Sequence, residues 1–363
     1  MKKKIWMIML LALMAVAITA CGKSDSKTKA DDNTGELEEE NEKETYHFVI
    51  WGRKEDLSDG NWLKTRCDMF SAKYPDAEVT FDFAEYTPEE AVAKMKENRD
   101  EAPDIYIFTD SQITDLVESR LLTRMWGETE EYVLESNAQA ISNMATYEEK
   151  VYGIPVSASP YVLYYDNTVF SAEDILSLDS ILQKGKLSYP LTEADYAKAF
   201  GDVDEDFLKS LRKNDNFYND ENAEHGVEYL QNGTVNAMVG DADVYGQVQQ
   251  ILGERMGVVA LPTFLYNGES RQMNCIKELQ IVGVNPDCKD FEMTIALATY
   301  LGSADAQQMH YDMSKALPVN ILVMDTLKGD PLAQIVGKMT TVEDLQRIQE
   351  ALAAEEEEKN NKK

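Results

Sequence analysis

The sequence predicts an α/β fold in two domains, and three observations carry that prediction. Short runs rich in Val, Ile, Phe and Tyr alternate with segments of helical periodicity, the order expected of a parallel or mixed sheet covered by helices. The chain has 363 residues, which leaves room for two domains of ordinary size once its polar and leader-like ends are set aside. Hydrophobic residues make up 44% of it, so a sizeable core is available.

The elements follow in order. Residues 46–51 (YHFVIW) read as a strand. Asn61 can cap a helix in which Leu63, Cys67, Phe70 and Tyr74 recur at helical spacing, with Pro75 to stop it. Cys67 is then a core residue, and Trp62 is expected at the exposed rim of that helix. Residues 78–86 alternate, with Val79, Phe81 and Phe83 on one face of a strand. Thr87-Pro88-Glu89-Glu90 opens a helix: Thr caps, Pro fits the first helical position, and Glu stands three after the cap. Residues 105–108 are apolar throughout and read as a buried strand. Further strands are expected at 161–165, 233–239 and 257–261, with Tyr164 and Tyr165 in the core. Ser171 with Asp174 has the form of a helix start, and residues 291–301 form a helix that Gly302 can end. After Asp344 the chain is helical, then dissolves into a polar tail at 355–363 (EEEEKNNKK).

The first residues are Met1-Lys2-Lys3-Lys4, followed by an apolar stretch at 5–18. That stretch is short of the ~20 residues a membrane span needs, so 1–20 reads as a secretory signal peptide. The break, Ile18-Thr19-Ala20-Cys21-Gly22, resembles the bacterial lipobox, which implies a lipid on Cys21 and a place on the outer face of the cell membrane. Residues 21–45 carry almost no apolar side chain and read as a flexible acidic tether.

Net charge is −31, which disfavours nucleic acid as a partner, since binding it requires neutralising phosphates with Lys and Arg. Apart from Cys21 the cysteines are Cys67, Cys275 and Cys288, an odd number without a CxxC pair, and not a disulfide framework. A Cys275–Cys288 bridge is left open. His47, His225 and His310 are scattered, with no zinc spacing, and no nucleophile-elbow, dinucleotide or phosphate-loop motif is present. No metal, cofactor or catalytic group is expected. An exported body of this kind suits binding better than turnover, although paired-carboxylate hydrolases leave no compact motif.

Several stretches in order resemble the extracellular solute-binding proteins of ABC importers, of the maltose/oligosaccharide type. They are Phe48-Val49-Ile50-Trp51-Gly52; Phe70-Ser71-Ala72-Lys73-Tyr74-Pro75 through Val79; Ala102-Pro103-Asp104-Ile105 through Phe108, with Asp110 and Gln112; Tyr152-Gly153-Ile154-Pro155 through Asp166; Asn232-Gly233 to Gly240; and Gly257 to Pro262. Each is weak alone, but their order and spacing are specific. The resemblance implies a two-lobed periplasmic-binding-protein-like fold of type II with a cleft between the lobes. One lobe would hold 46–156 and 264–316, the other 157–263 and 317–354. It further implies a monomer that captures a small solute, a carbohydrate first, for a membrane permease.

Ligand sites of open α/β sheets lie beyond the carboxyl ends of strands. This nominates Trp51, Arg53, Glu55 and Asp56 after the first strand, Asp110 and Gln112 after the third, Ser159 and Tyr161 at the first crossover, and Asp241 and Tyr245 after Gly240. Lys277 and Glu278 interrupt an apolar stretch and read as hinge charges or cleft contacts. The chain departs from the family where Gly240-Asp241-Ala242 replaces a Gly-Pro-Trp, and again after Pro331, so two sugar-stacking aromatics are absent. The alternatives are therefore a non-sugar solute (polyamine, peptide or organic acid) on the same scaffold, or a surface ligand sensor or adhesin that has lost transport.

Overall fold

The computed structural model describes residues 43–58, 62–189, 192–219, 223–341 and 343–347. The signal peptide, Cys21, nearly all of the tether, the Asn61 cap and the polar tail fall outside these residues.

The strands in chain order are β1 (Glu44–Gly52), β2 (Ala77–Glu85), β3 (Ile105–Thr109), β4 (Thr146–Tyr147), β5 (Lys150–Val151), β6 (Ile154–Pro160), β7 (Val162–Asp166), β8 (Leu187–Ser188), β9 (Phe217–Tyr218), β10 (Ala237–Gly240), β11 (Met256–Val259), β12 (Thr263–Tyr266), β13 (Glu269–Gln272) and β14 (Ile276–Val284). Two mixed five-stranded sheets result, one ordered β2-β1-β3-β14-β6 and the other β11-β7-β10-β8-β9. In the first sheet β1 runs parallel to β2 and β3, while β14 is antiparallel to β3 and β6. Each sheet is the centre of one lobe.

Side-chain alternation explains the first lobe. Phe48 and Ile50 leave β1 on one face and are fully buried under the helix Trp62–Ser71, where Leu63, Cys67 and Phe70 meet Leu297 and Leu301 of the helix Phe291–Leu301. The expected capping box forms: Glu90 N–H donates to Thr87 Oγ1 at 3.2 Å, and Thr87 N–H donates to the Glu90 carboxylate at 2.9 Å. Gly153, before β6, has φ +86°, and a Cβ there would stand 2.5 Å from Ile281. Only glycine fits that turn.

The chain passes from β6 in the first sheet to β7 in the second across a single residue, Tyr161. It returns from the β12–β13 hairpin into β14 past Cys275, and Tyr161 N–H donates to the Cys275 carbonyl at 2.6 Å, tying the two crossovers together. A third strand of chain comes by: Ala158 N–H donates to the Leu317 carbonyl at 2.9 Å. Buried Gln307 fixes that passage, giving its amide to the carbonyls of Pro155 and Gly302 and accepting from Val319 and Asn320 N–H. The helix Pro331–Gly337 then lies against both β6 and β11, one strand from each sheet.

Several sequence expectations shift. The strands expected at 161–165, 233–239 and 257–261 are Val162–Asp166, Ala237–Gly240 and Met256–Val259; the second starts late because a turn, with Gly233 at φ +77°, occupies the positions before it. Tyr164 is buried as expected, whereas Tyr165 is half-buried. Ser171 and Asp174 exchange hydrogen bonds, but the element they open is a single 3-10 turn, Asp174–Leu176. Trp62 is not at a rim. It is 1% exposed, because the helix Ala304–Ser314 packs over it. Its indole N–H donates to the Ala306 carbonyl at 2.7 Å and its ring stacks on His310 at 4.2 Å. Cys275 and Cys288 are free thiols at opposite ends of β14, so about 30 Å of extended strand separates them, far beyond disulfide reach.

His310 also bonds Asp56, 3.0 Å away, and Arg53 Nε donates to the other oxygen of that carboxylate at 2.9 Å. Burial pushes the Asp56 carboxyl up, but the hydrogen bonds and charges of His310 and Arg53 outweigh it and leave the group below its ordinary 3.8. A depressed carboxylate stabilises the fold above its unfolded pKa, and that contribution fades as pH falls through the folded value. Asp56→Ala is therefore expected to cost about 3 kcal/mol at neutral pH in urea unfolding. The gap from the parent should narrow as pH drops below about 4. A gap that stays constant across that range would contradict the assignment.

Candidate functional site

The carboxyl ends of β1, β2 and β3 (Gly52, Glu85 and Thr109) lie on one edge of the first sheet, because the three strands run parallel. β14 runs the other way, so its start, Ile276–Leu279, reaches the same edge beside the end of β6 at Ser159. In the second sheet the start of β7 at Val162 lies with the ends of β10 at Gly240 and β11 at Val259. Tyr161 joins these two edges, and the cleft opens between them.

The centre of the cleft is a polar cluster drawn from both lobes. Asp110, the first residue beyond β3, accepts Leu279 N–H on one oxygen at 2.8 Å and the Lys198 ammonium on the other at 2.7 Å. Lys198 comes from the helix Glu193–Phe200 of the second lobe and also donates to the Lys277 carbonyl at 2.6 Å. The Lys277 ammonium donates to Asp241 beyond β10 at 2.6 Å. Lys277 sits where the β14–β6 register slips between Ile276 and Glu278, and a bulge of this kind re-aims a side chain. Tyr164 donates its hydroxyl to the Asp241 carbonyl at 2.8 Å, and Tyr245, 38% exposed, meets the Tyr164 ring edge-on.

Other nominated residues take different places. Gln112 turns back to accept Thr109 N–H at 2.9 Å and shapes the loop that presents Asp110. Ser159 is half-buried and pairs with Glu278 across β6 and β14. Tyr161 is buried at the crossover. Trp51, 7% exposed, packs on Tyr86, whose ring is 4.7 Å away. Arg53, Glu55 and Asp56 form a network of their own after β1: the Arg53 guanidinium reaches Glu55 at 3.0 Å and Asp56 at 2.9 Å. Asp56 is 2% exposed and spends its carboxylate inward, on Arg53 and His310. Thus Asp110, Asp241 and Tyr245 are brought together, while the residues after β1 form a separate group.

Sequence reasoning missed Lys198. Lys198 lies 88 residues from its partner Asp110 and no motif contains it. Its one signal is a lone cation in Tyr196-Ala197-Lys198-Ala199-Phe200, among side chains that pack into the lobe. A surface hollow of about 330 Å³ beside Lys184, Lys186, Asn216 and Asn236 opens at the amino ends of β8 and β10, away from this cluster. Among the described residues no group of three or more His, Cys, Asp or Glu could hold a metal ion, and no helix is long and apolar enough to cross a membrane.

Residues 65–331 match the model of a family described as bacterial extracellular solute-binding protein. A protein whose structure was solved with acarbose is 32% identical, with a TM-score of 0.61, over 82% of this chain and 85% of that one. A maltodextrin-binding protein from L. casei, solved without ligand, is 17% identical with a TM-score of 0.67, covers 82% and 86% of the two chains, and is alike in fold. The galactooligosaccharide-binding protein of Bacillus subtilis is 23% identical over 175 residues, 48% of this chain and 38% of that protein, so the match spans well under half of that relative.

The Asp110 geometry sets an expectation for stability. Asp110→Ala strands Leu279 N–H and is expected to cost about 1–3 kcal/mol in denaturant melts, whereas Asp110→Asn keeps that acceptor and costs less. Equal losses in the two variants would contradict the Leu279 bond.

Proposed function

Because the chain belongs to the bacterial extracellular solute-binding protein family, we propose that it captures a mono- or oligosaccharide in the cleft between its lobes and hands it to an ABC permease. The observation that carries this is the charge balance of the cleft. In a chain of net charge −31, each cleft aspartate is matched by a lysine, Asp110 by Lys198 and Asp241 by Lys277. A polyamine would find those carboxylates already compensated. A neutral sugar suits them, because each hydroxyl both donates and accepts, and the cluster offers ammonium donors beside carboxylate acceptors. Tyr245 supplies an exposed aromatic face for the apolar side of a sugar ring. The acarbose complex of one relative and the galactooligosaccharide specificity named for another agree with this ligand class.

In this reading Asp110, Asp241 and Tyr245 face the ligand, Gln112, Ser159, Tyr161 and Trp51 shape the cleft around them, and Arg53, Glu55 and Asp56 hold the loop after β1. The protein acts as a monomer, without cofactor and without turning its ligand over. Cys21 carries the lipid that keeps it at the outer face of the cell membrane beside its permease.

Calorimetry of the soluble body against maltodextrins, galactooligosaccharides and simple sugars is expected to give saturable heat with at least one. Tyr245→Ala should weaken that binding by about tenfold, roughly one stacked ring, with little change in melting temperature. A well-folded body silent to the whole panel, or one giving heat only with spermidine at low salt, would overturn the sugar assignment. Cys21→Ala should move the protein from the membrane fraction to the soluble fraction in fractionated cells, and retention in the membrane would sink the anchor.

A further inference from the structure

We propose that Lys198 and Lys277 are positioning residues that latch the two lobes together across the cleft before any ligand enters. The inference rests on the solute-binding reading and adds how the cleft is held. Both ion pairs span the lobes. Lys198 belongs to the second lobe, where its helix neighbours Tyr196 and Phe200 pack with Tyr189, Phe217 and Phe264, and it reaches Asp110 at the end of β3 in the first. Lys277 belongs to β14 in the first sheet and reaches Asp241 at the end of β10 in the second. The pairs therefore run in opposite senses, each lobe giving one cation and one anion. A shift of one lobe past the other breaks both pairs at once.

The pairs are also joined. The Lys198 ammonium bonds the carbonyl of Lys277, and Asp110 bonds the N–H of Leu279, so one short stretch of β14 is the meeting point of both contacts. Their side chains are between 12% and 38% exposed, sheltered enough to hold geometry and open enough for salt to screen. Closure in this protein is therefore electrostatic in part, and ionic strength sets how much of the unliganded population is shut.

The test is inter-lobe distance, read by small-angle scattering and by energy transfer between dyes on the two lobes of the unliganded protein. The parent should be closed at low salt and open progressively as sodium chloride rises toward 1 M, where the screening length is about 3 Å. Lys277→Met and Lys198→Met should each shift the closed-to-open ratio by about fivefold toward open at low salt and flatten the salt response. The charge swap Lys277→Asp with Asp241→Lys should restore closure and the salt dependence together, because it reverses the Lys277–Asp241 pair and keeps one cation and one anion across the gap. Circular-dichroism melts confirm that each variant is folded, and the salt titration of the parent needs no variant. A parent whose inter-lobe distance ignores salt, or a swap that stays open, overturns the latch. Failure of every sugar to bind would instead overturn the ligand assignment and leave the distance measurements standing.

Discussion

The two-lobed architecture depends on the hydrogen bond between Tyr161 N–H and the Cys275 carbonyl. It joins the strand of chain leaving the first lobe to the strand returning to it, at the one place where both are between sheets. That tie continues by one step the β6–β14 pairing that ends at Pro160 and Ile276, and so carries the order of the first sheet to the point where the chain leaves it. With it, β6, β7 and β14 radiate from a common point. The carboxyl end of β3 and that of β10 then stand opposite each other, close enough for lysine side chains to span the gap.

The charges of this protein are sorted by depth. In the acidic surroundings of the chain, aspartates away from bulk water are each given a cation or a set of donors. Asp56 has Arg53 and His310, Asp110 has Lys198 and Leu279 N–H, and Asp344 has Arg347 and the N–H groups of Gln139 and Thr341. This is what burial of a carboxylate requires, since an uncompensated one would be pushed toward its neutral form. In the cleft, Asp110 and Asp241 are each paired with a lysine of the opposite lobe.

Much of the fold was legible in the sequence because it is written in local terms. The alternation of Val79, Phe81 and Phe83, the Thr87–Glu90 capping box and the stop at Gly302 all appear where short-range rules put them. The strand ends nominated Asp110 and Asp241, and both reach the cleft. What local rules could not supply was partnership. Asp56 looked like Asp110, a carboxylate just past a strand, and only the helix Ala304–Ser314, some 250 residues further along, turns it inward. Trp62 looked peripheral for the same reason. Lys198 carried no signal beyond its apolar neighbours, because its role is defined by a residue of the other lobe.

The position of β14 has a consequence for how the chain assembles. β14 lies between β3 and β6 in the first sheet, yet it follows the whole second lobe in sequence. As the chain emerges amino end first, β2, β1 and β3 can pair early, but β6 has no strand to join it to them. The second sheet, by contrast, is drawn from one continuous stretch, Val162 to Val259. Maturation therefore runs from the inside of the sequence outward: the inserted lobe can condense on local contacts, and the enclosing lobe waits for its keystone. Loop closure over such a distance is slow compared with local pairing. The earlier strands spend that interval with open edges, the state in which chains most need protection from one another.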